Sequence, residues 1–108
     1  EPGKRFAVSE GIDGVCEFTQ KPQIGMVILK VQLFDRKGAK VTPFTISGSS
    51  GMPSMPGHHD SGDVPLKRNR FGNYLLPVNV VMPGDWEIRL VFRDGERIVF
   101  QGAIRFDV

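Results

Sequence analysis

The sequence of 108 residues contains few of the groups that form cross-links or span membranes. Its single cysteine, Cys16, excludes an internal disulfide, a zinc site built on cysteines and a redox-active dithiol. The longest apolar run, residues 26–29, is far shorter than the roughly 18 residues that a membrane-spanning helix needs. We therefore expect a chain without a membrane span of its own, in which Cys16 is a small apolar side chain in the core.

Charge is also nearly balanced, with 14 basic and 12 acidic residues and a formal net charge of +2. The basic residues are scattered, and the one tight group is Lys67-Arg68-Asn69-Arg70. A group of this size is typical of a solvated turn and is small for a phosphate-binding surface. The sequence thus predicts no nucleic-acid partner.

Catalytic signatures are missing as well. The chain has no phosphate-binding loop and no dinucleotide fingerprint. His59-Asp60-Ser61 contains the residue types of a hydrolase triad, but three consecutive side chains cannot converge on one another. Gly48-Ser49-Ser50-Gly51 lacks the Gly-x-Ser-x-Gly pattern of a nucleophile elbow. We expect that the protein is not an enzyme.

The C-terminal half, by contrast, has a strong pattern of alternating apolar and polar residues, which is typical of strands with one wet face. Pro83-Gly84 suits a type II turn and Asp94-Gly95 a tight hairpin, so residues 74–82, 85–93 and 96–107 are predicted to form a meander. In this arrangement Met82 and Trp86 are core residues. The predicted inward rows are Tyr74, Leu76, Val78, Val80 and Met82; Trp86, Ile88, Leu90 and Phe92; and Ile98, Phe100, Gly102, Ile104, Phe106 and Val108.

The N-terminal half predicts the remaining strands. Val27, Leu29, Val31 and Leu33 alternate with more polar neighbours up to a turn at residues 35–38, and residues 41–47 follow as a partner strand. Residues 6–9 and 15–20 resemble one edge strand interrupted at residues 11–14 by a glycine-rich bulge. With a short strand at 64–67, about seven strands result, and 13 glycines and 8 prolines supply the turns. We predict a single all-β domain over residues 1–108, an antiparallel immunoglobulin-like sandwich.

One long connection, residues 47–62, interrupts this regularity, and it contains both histidines of the chain. Thioether and imidazole groups are ligands that favour copper, Cu(I) above all. The candidate metal ligands are Met52, Met55, His58 and His59, all within residues 51–60, which we call the Met/His segment. Pro53 and Pro56 restrict the backbone beside the two methionines, and Asp60 could orient an imidazole by accepting its second N–H.

A second interpretation of the Met/His segment involves no metal. Adjacent histidines on an extended chain point in opposite directions, so His58 and His59 converge on one ion only if the chain bends there. Met52 or Met55 could instead fill the open end of the sandwich while the histidines are solvated. In that case the protein is a structural or protein-interaction module in which the loop or a sheet edge contacts a larger partner.

Three motifs, in this order, resemble the YtkA-like domain family, which is related to FixH-like proteins. They are Met52-Pro53-Ser54-Met55-Pro56-Gly57-His58, then Gly72-Asn73-Tyr74 at the start of a strand, then Met82-Pro83-Gly84-Asp85-Trp86 at the start of the next. The turn Asp35-Arg36-Lys37-Gly38 also fits, and the resemblance covers residues 15–108. It implies an extracytoplasmic bacterial domain of the immunoglobulin-like type, with relatives linked to copper handling or respiratory-oxidase assembly.

The resemblance therefore favours copper as the cofactor and a carrier or assembly factor as the function. It also implies a periplasmic or extracellular location. The chain begins at Glu1 without a methionine, which fits a processed or truncated protein whose signal or membrane anchor lies outside this sequence.

Overall fold

The computed structural model describes residues 3–55 and 61–108, and its regular elements there are all β-strands. In these residues ten strands are present where about seven were predicted: seven have five or more residues, and three have two residues each. The strands are β1 Arg5–Ser9, β2 Ile12–Phe18, β3 Gly25–Phe34, β4 Lys40–Val41, β5 Thr45–Gly51, β6 Val64–Pro65, β7 Lys67–Arg68, β8 Tyr74–Val80, β9 Asp85–Asp94 and β10 Arg97–Asp107. The described residues contain no helix that could cross a membrane.

The strands form two antiparallel sheets that face each other across one core. The first sheet has the order β1-β2-β3-β8-β7, with β4 added to β3, and the second has the order β10-β9-β5-β6. The prediction of an all-β antiparallel sandwich is therefore confirmed. The immunoglobulin-like topology stays a prediction.

The core consists of the rows that the alternation predicts. In β3, Val27, Leu29, Val31 and Leu33 are 4% exposed or less, and the inward residues of β8 and β9 are similarly buried. The row of β10 is less regular, since a register shift between Ile98 and Phe100 leaves the Ile98 side chain 46% exposed. A bulge adds one residue to one strand, so the alternation changes face there.

The prediction of one interrupted edge strand near the N-terminus is wrong. β1 and β2 form a hairpin in which Ser9 pairs with Ile12, and Glu10 and Gly11 make the turn. Gly11 has a φ of 79°, a left-handed conformation that suits glycine in a two-residue hairpin turn. The register shift between Ala7 and Ser9 supplies the predicted bulge, but it lies within β1.

Two further strand boundaries differ from the prediction. The single strand predicted at residues 41–47 is divided into β4, which pairs with β3, and β5, which pairs with β9 in the other sheet. The strand predicted at 64–67 is divided in the same way, with β6 and β7 in different sheets and the buried Leu66 between them. Both segments cross from one sheet to the other, which a local pattern does not reveal.

Cys16 lies in the core at 3% exposure, as predicted, and burial raises the pKa of its thiol to about 12. The unfolded chain releases this proton near pH 8.5, so between about pH 8.5 and 12 the folded state binds more protons than the unfolded state. Stability then falls as pH rises, by about 1.4 kcal/mol per pH unit. We expect Cys16→Ala to remove this part of the alkaline destabilisation.

Urea unfolding at pH 8, 9, 10 and 11 gives the free energy of unfolding as a function of pH for the wild type and for Cys16→Ala. The predicted effect is the difference between the two slopes. Tyr74 also has a raised pKa, because burial disfavours its phenolate, but it is common to both proteins and cancels. Equal slopes for the wild type and Cys16→Ala would contradict the prediction.

Candidate functional site

The two methionines of the Met/His segment lie on one tight turn at the end of β5. The backbone N–H of Met55 donates to the C=O of Met52 at 2.9 Å, which closes a four-residue turn. Pro53 occupies the second position, where its fixed φ favours such a turn. The spacing of two residues between the methionines thus places both thioether side chains on a single, restricted piece of backbone.

Side-chain hydrogen bonds fasten this turn to the first residue of β9. The hydroxyl of Ser54 donates to one carboxylate oxygen of Asp85 at 2.5 Å, and the backbone N–H of Ser54 approaches the other at 3.3 Å. The Ser54 hydroxyl is the main cause that holds the pKa of Asp85 below its ordinary value. The two motifs of the family resemblance, 31 residues apart in the chain, are therefore in direct contact.

Met52 and Met55 differ in their surroundings. Met52 is 3% exposed and belongs to the core, whereas Met55 is half-buried and packs against the core from outside. The methyl group of Met52 lies over the backbone of Gly84, where an added Cβ would be 2.6 Å from it. Met52 thus fills the end of the sandwich, as the interpretation without a metal expects of one methionine.

Met52 packs against residues 82–86, which we call the 82–86 turn. Gly84 and Val108 exchange two backbone hydrogen bonds of 3.0 Å each, which tie the turn to the end of β10. The indole N–H of Trp86 donates to the C=O of Met82 at 3.1 Å, and the Trp86 side chain is 1% exposed. Core packing was predicted for both residues; Trp86 is buried, and Met82 is half-buried against the core.

Just after the Met/His segment, Ser61 is hydrogen-bonded to β5. The backbone N–H of Ser61 donates to the C=O of Ser50 at 3.0 Å, and the Ser61 hydroxyl accepts from the N–H of Ser50 at 2.9 Å. Met55 and Ser61 are thus both anchored at the end of β5. The predicted ligands His58 and His59, and the predicted orienting residue Asp60, lie outside the described residues, so the ligand set stays a prediction.

A cleft of about 480 Å³ lies beside Met52 and Pro53, and it contains a carboxylate that the sequence pattern does not indicate. Glu87 is only 8% exposed, and its two oxygens accept from the Nε atoms of Arg89 and Arg105 at 2.6 and 2.9 Å. These two guanidinium groups hold its pKa below the ordinary value. The cleft is lined by Ser49, Ser50, Gly51, Met52, Pro53, Gly62, Asp63, Glu87 and Arg89.

No sequence signal marks Glu87, because the alternation places it on the wet face with the other polar residues of β9. Glu87 lies between Gly51 of β5 and Arg105 of β10 in the sheet, and Arg89 and Arg105 donate to its carboxylate. Within residues 3–55 and 61–108, no cluster of three or more histidine, cysteine, aspartate or glutamate side chains is arranged to hold a metal ion.

Two solved structures with a similar fold are both of FetP from uropathogenic Escherichia coli strain F11. One is the "as isolated" protein, expressed recombinantly in the periplasm, with a TM-score of 0.61 and 12% identity over 99% of this chain and 93% of that chain. The other is a copper-bound variant of FetP in which glutamine replaces a glutamate, with a TM-score of 0.60 and 12% identity over 97% of this chain and 93% of that chain. At this identity the similarity establishes the fold alone.

The family comparison is more specific. A search of curated proteins finds no match. The YtkA-like family profile matches residues 6–91, most of the chain and all three motifs that carry the resemblance. The first motif, residues 52–58, contacts the third, residues 82–86, through Ser54 and Asp85, and the second, Gly72-Asn73-Tyr74, leads into β8. The chain belongs to the YtkA-like family.

Proposed function

We propose that this domain binds copper, Cu(I) above all, outside the cytoplasm, as a carrier or an assembly factor and not as a catalyst. The ligands are the two thioethers and two imidazoles of the Met/His segment: Met52, Met55, His58 and His59. Soft and intermediate ligands of this kind suit copper better than magnesium or calcium. Met52 would supply its sulfur from the buried side and Met55 from the accessible side.

The observation that carries the proposal is that hydrogen bonds hold the Met52 to Met55 turn in place. Because Met55 is hydrogen-bonded to Met52, and Ser54 is bonded to Asp85, the backbone that carries both thioethers is ordered before any metal arrives. A ligand pair on a preformed turn loses less conformational entropy on binding than one on a free chain. Such an arrangement favours a metal site over a merely solvated loop.

The similarity to FetP supports the same proposal by a separate route. One FetP structure is copper-bound, and the other protein sample came from the periplasm. A two-sheet sandwich of this fold is therefore compatible with copper binding in an oxidising compartment. A single buried cysteine without a disulfide partner suits that environment, because its thiol is shielded from oxidants.

Replacing Met55 with leucine is the most direct test. Leucine has a similar volume but no sulfur, so the fold should change little while one ligand is lost. We expect the affinity for Cu(I) to fall at least tenfold, which is about the lower limit seen even for residues that only support metal ligands. The measurement is a titration of the reduced protein with Cu(I) in competition with a chromogenic chelator.

Met26→Leu is the matched control, because Met26 is 57% exposed on β3 and its removal deletes a thioether outside the Met/His segment. Its Cu(I) affinity should equal that of the wild type. His58→Gln and His59→Gln test the imidazoles separately, and NMR should show the Met52 and Met55 methyl signals and the His58 ring signals shifting together on titration. Sub-stoichiometric uptake with unchanged loop signals would contradict the proposal.

That contrary result would favour the second candidate, a protein-interaction module without metal. Three large exposed apolar side chains at the end of the sandwich that carries the 82–86 turn support this candidate. Ile24, Met26 and Val81 are 56%, 57% and 55% exposed. They lie close together because Gly25 pairs with Val80, which places Ile24 and Val81 beside the same strand pair. Exposed apolar groups that cluster in this way are typical of contact surfaces.

A further inference from the structure

The loop between β7 and β8, residues 69–73, is shaped by its own hydrogen bonds. The side-chain oxygen of Asn69 accepts from the backbone N–H groups of Phe71 and Asn73, both at 3.0 Å. The backbone N–H of Asn69 donates to the C=O of Asn73 at 2.9 Å, and Gly72 adopts a φ of 78°. The loop therefore presents residues 70 and 71 in a defined position, because its backbone groups are largely satisfied within the loop.

Phe71 is the most exposed large apolar side chain among the described residues, at 63%. The guanidinium carbon of Arg70 lies 5.0 Å from the centre of its ring, within the range of a cation–π contact. A phenylalanine held outward on an ordered loop forgoes the stabilisation that burial of its ring would provide. Held outward beside a cation, this ring is available for contact with an apolar phase outside the domain.

Four cations lie in this loop or next to it. Lys67 and Arg68 form β7 directly before the loop, and Lys40 from β4 donates to the side chain of Asn73 at 2.8 Å. Arg68 reaches the Thr42 hydroxyl at 3.5 Å. Together with Arg70 these groups carry four positive charges, and within the described part of the chain none of the four forms a salt bridge with a carboxylate.

From this arrangement we propose that the loop docks on the surface of a bilayer that contains anionic phospholipid, with Phe71 inserted at the level of the headgroups. Aromatic side chains are favoured at that depth, and each lysine or arginine near an anionic leaflet strengthens binding by about fivefold. Single-stranded nucleic acid fits the site less well, because such ligands use a groove with several stacking side chains. The loop offers one aromatic ring on a protruding tip.

The fold gives this docking a definite orientation. β8 runs from Tyr74, next to the loop, to Val80, just before the 82–86 turn, a distance of roughly 20 Å for seven residues. The Met52 to Met55 turn contacts the 82–86 turn, so it lies at the opposite end of the sandwich. A domain held to the membrane by Phe71 would direct its methionine end away from the bilayer, whether or not that end binds copper.

Co-sedimentation with vesicles tests the proposal in two arms, phosphatidylcholine alone and phosphatidylcholine with about one third phosphatidylglycerol. We expect binding to the mixed vesicles that falls steeply with salt, and little binding to phosphatidylcholine alone. Phe71→Ala should weaken binding about tenfold, and Arg70→Gln about fivefold. The matched controls are Val64→Ala, also an exposed apolar residue, and Lys21→Gln, which removes one charge from an exposed position at the other end; both should bind as the wild type.

Three outcomes would overturn the proposal. The first is equal binding to both kinds of vesicle or to neither, and the second is an equal loss in Lys21→Gln and Arg70→Gln, which would indicate a general charge effect. The third is tighter binding of a fluorescent oligonucleotide than of mixed vesicles, with the same sensitivity to Phe71→Ala. A thermal unfolding scan of each variant verifies that it is folded, and Cu(I) affinity serves as an independent measure that the docking variants should leave unchanged.

Discussion

Replacing Trp86 with alanine is expected to lower the free energy of unfolding by about 3–5 kcal/mol. Trp86 is the largest of the fully buried side chains, at 1% exposure, and it lies where β9 leaves the 82–86 turn. The change removes its apolar contacts, creates a cavity, and deletes the hydrogen bond to the C=O of Met82. Because Trp86 is the only tryptophan, unfolding in urea should be followed by circular dichroism and not by fluorescence.

Trp86→Phe separates packing from hydrogen bonding. Phenylalanine keeps most of the aromatic surface but has no N–H, so we expect a loss of about 1–2 kcal/mol, well below that of alanine. A loss of less than about 1 kcal/mol for Trp86→Ala would contradict the burial of this side chain. Equal losses for the two variants would mean that the hydrogen bond, and not the packing, dominates.

Replacing Gly48 with valine is expected to destabilise the fold by about 3 kcal/mol, the upper part of the usual range for overpacking. Gly48 is buried on the inner face of β5 and pairs with Leu90 of β9. A Cβ at this position would lie 2.8 Å from Leu76 of the opposite sheet, 3.1 Å from Leu90 and 3.3 Å from Leu66. The three leucines would have to move, although valine is by itself a good strand former.

Ser49→Val is the matched control for this prediction. Ser49 is the next residue of β5, so its side chain points to the outer face of the same sheet. The same β-branched residue should change stability there by no more than about 0.5 kcal/mol. If both variants were equally stable in urea, the close approach of the two sheets at Gly48 would be refuted.

The regular strands were predictable because their inward rows can be identified from neighbouring residues alone. The period of two requires these rows to face the core, and their members are fully buried, for example Leu29 and Leu33 in β3 and Ile88 and Phe92 in β9. The exception at Ile98 has a local cause, since one extra residue in β10 shifts the register before Phe100. No feature of the apolar pattern indicates where such a bulge lies.

The glycine-rich part of the predicted long connection was misassigned for a different reason. Residues 48–51, beyond the strand predicted at 41–47, fall in the predicted irregular connection, but they continue β5 and pair with β9 as far as Glu87. Glycine at position 48 reflects the lack of space under Leu76, not a turn. A side chain from a distant strand thus decided the identity of this residue.

In the candidate site, too, some properties follow from the sequence and others only from the tertiary structure. The sequence by itself determined the chemistry, namely two thioethers and two imidazoles within eight residues, and also the alternating rows that form the sandwich. Only the tertiary structure decided that Met52 is buried over Gly84 while Met55 remains accessible, and that Ser54 bonds to Asp85. The physical reason is range: alternation and turn chemistry act between neighbours, whereas burial and these contacts depend on which distant strands the fold brings together.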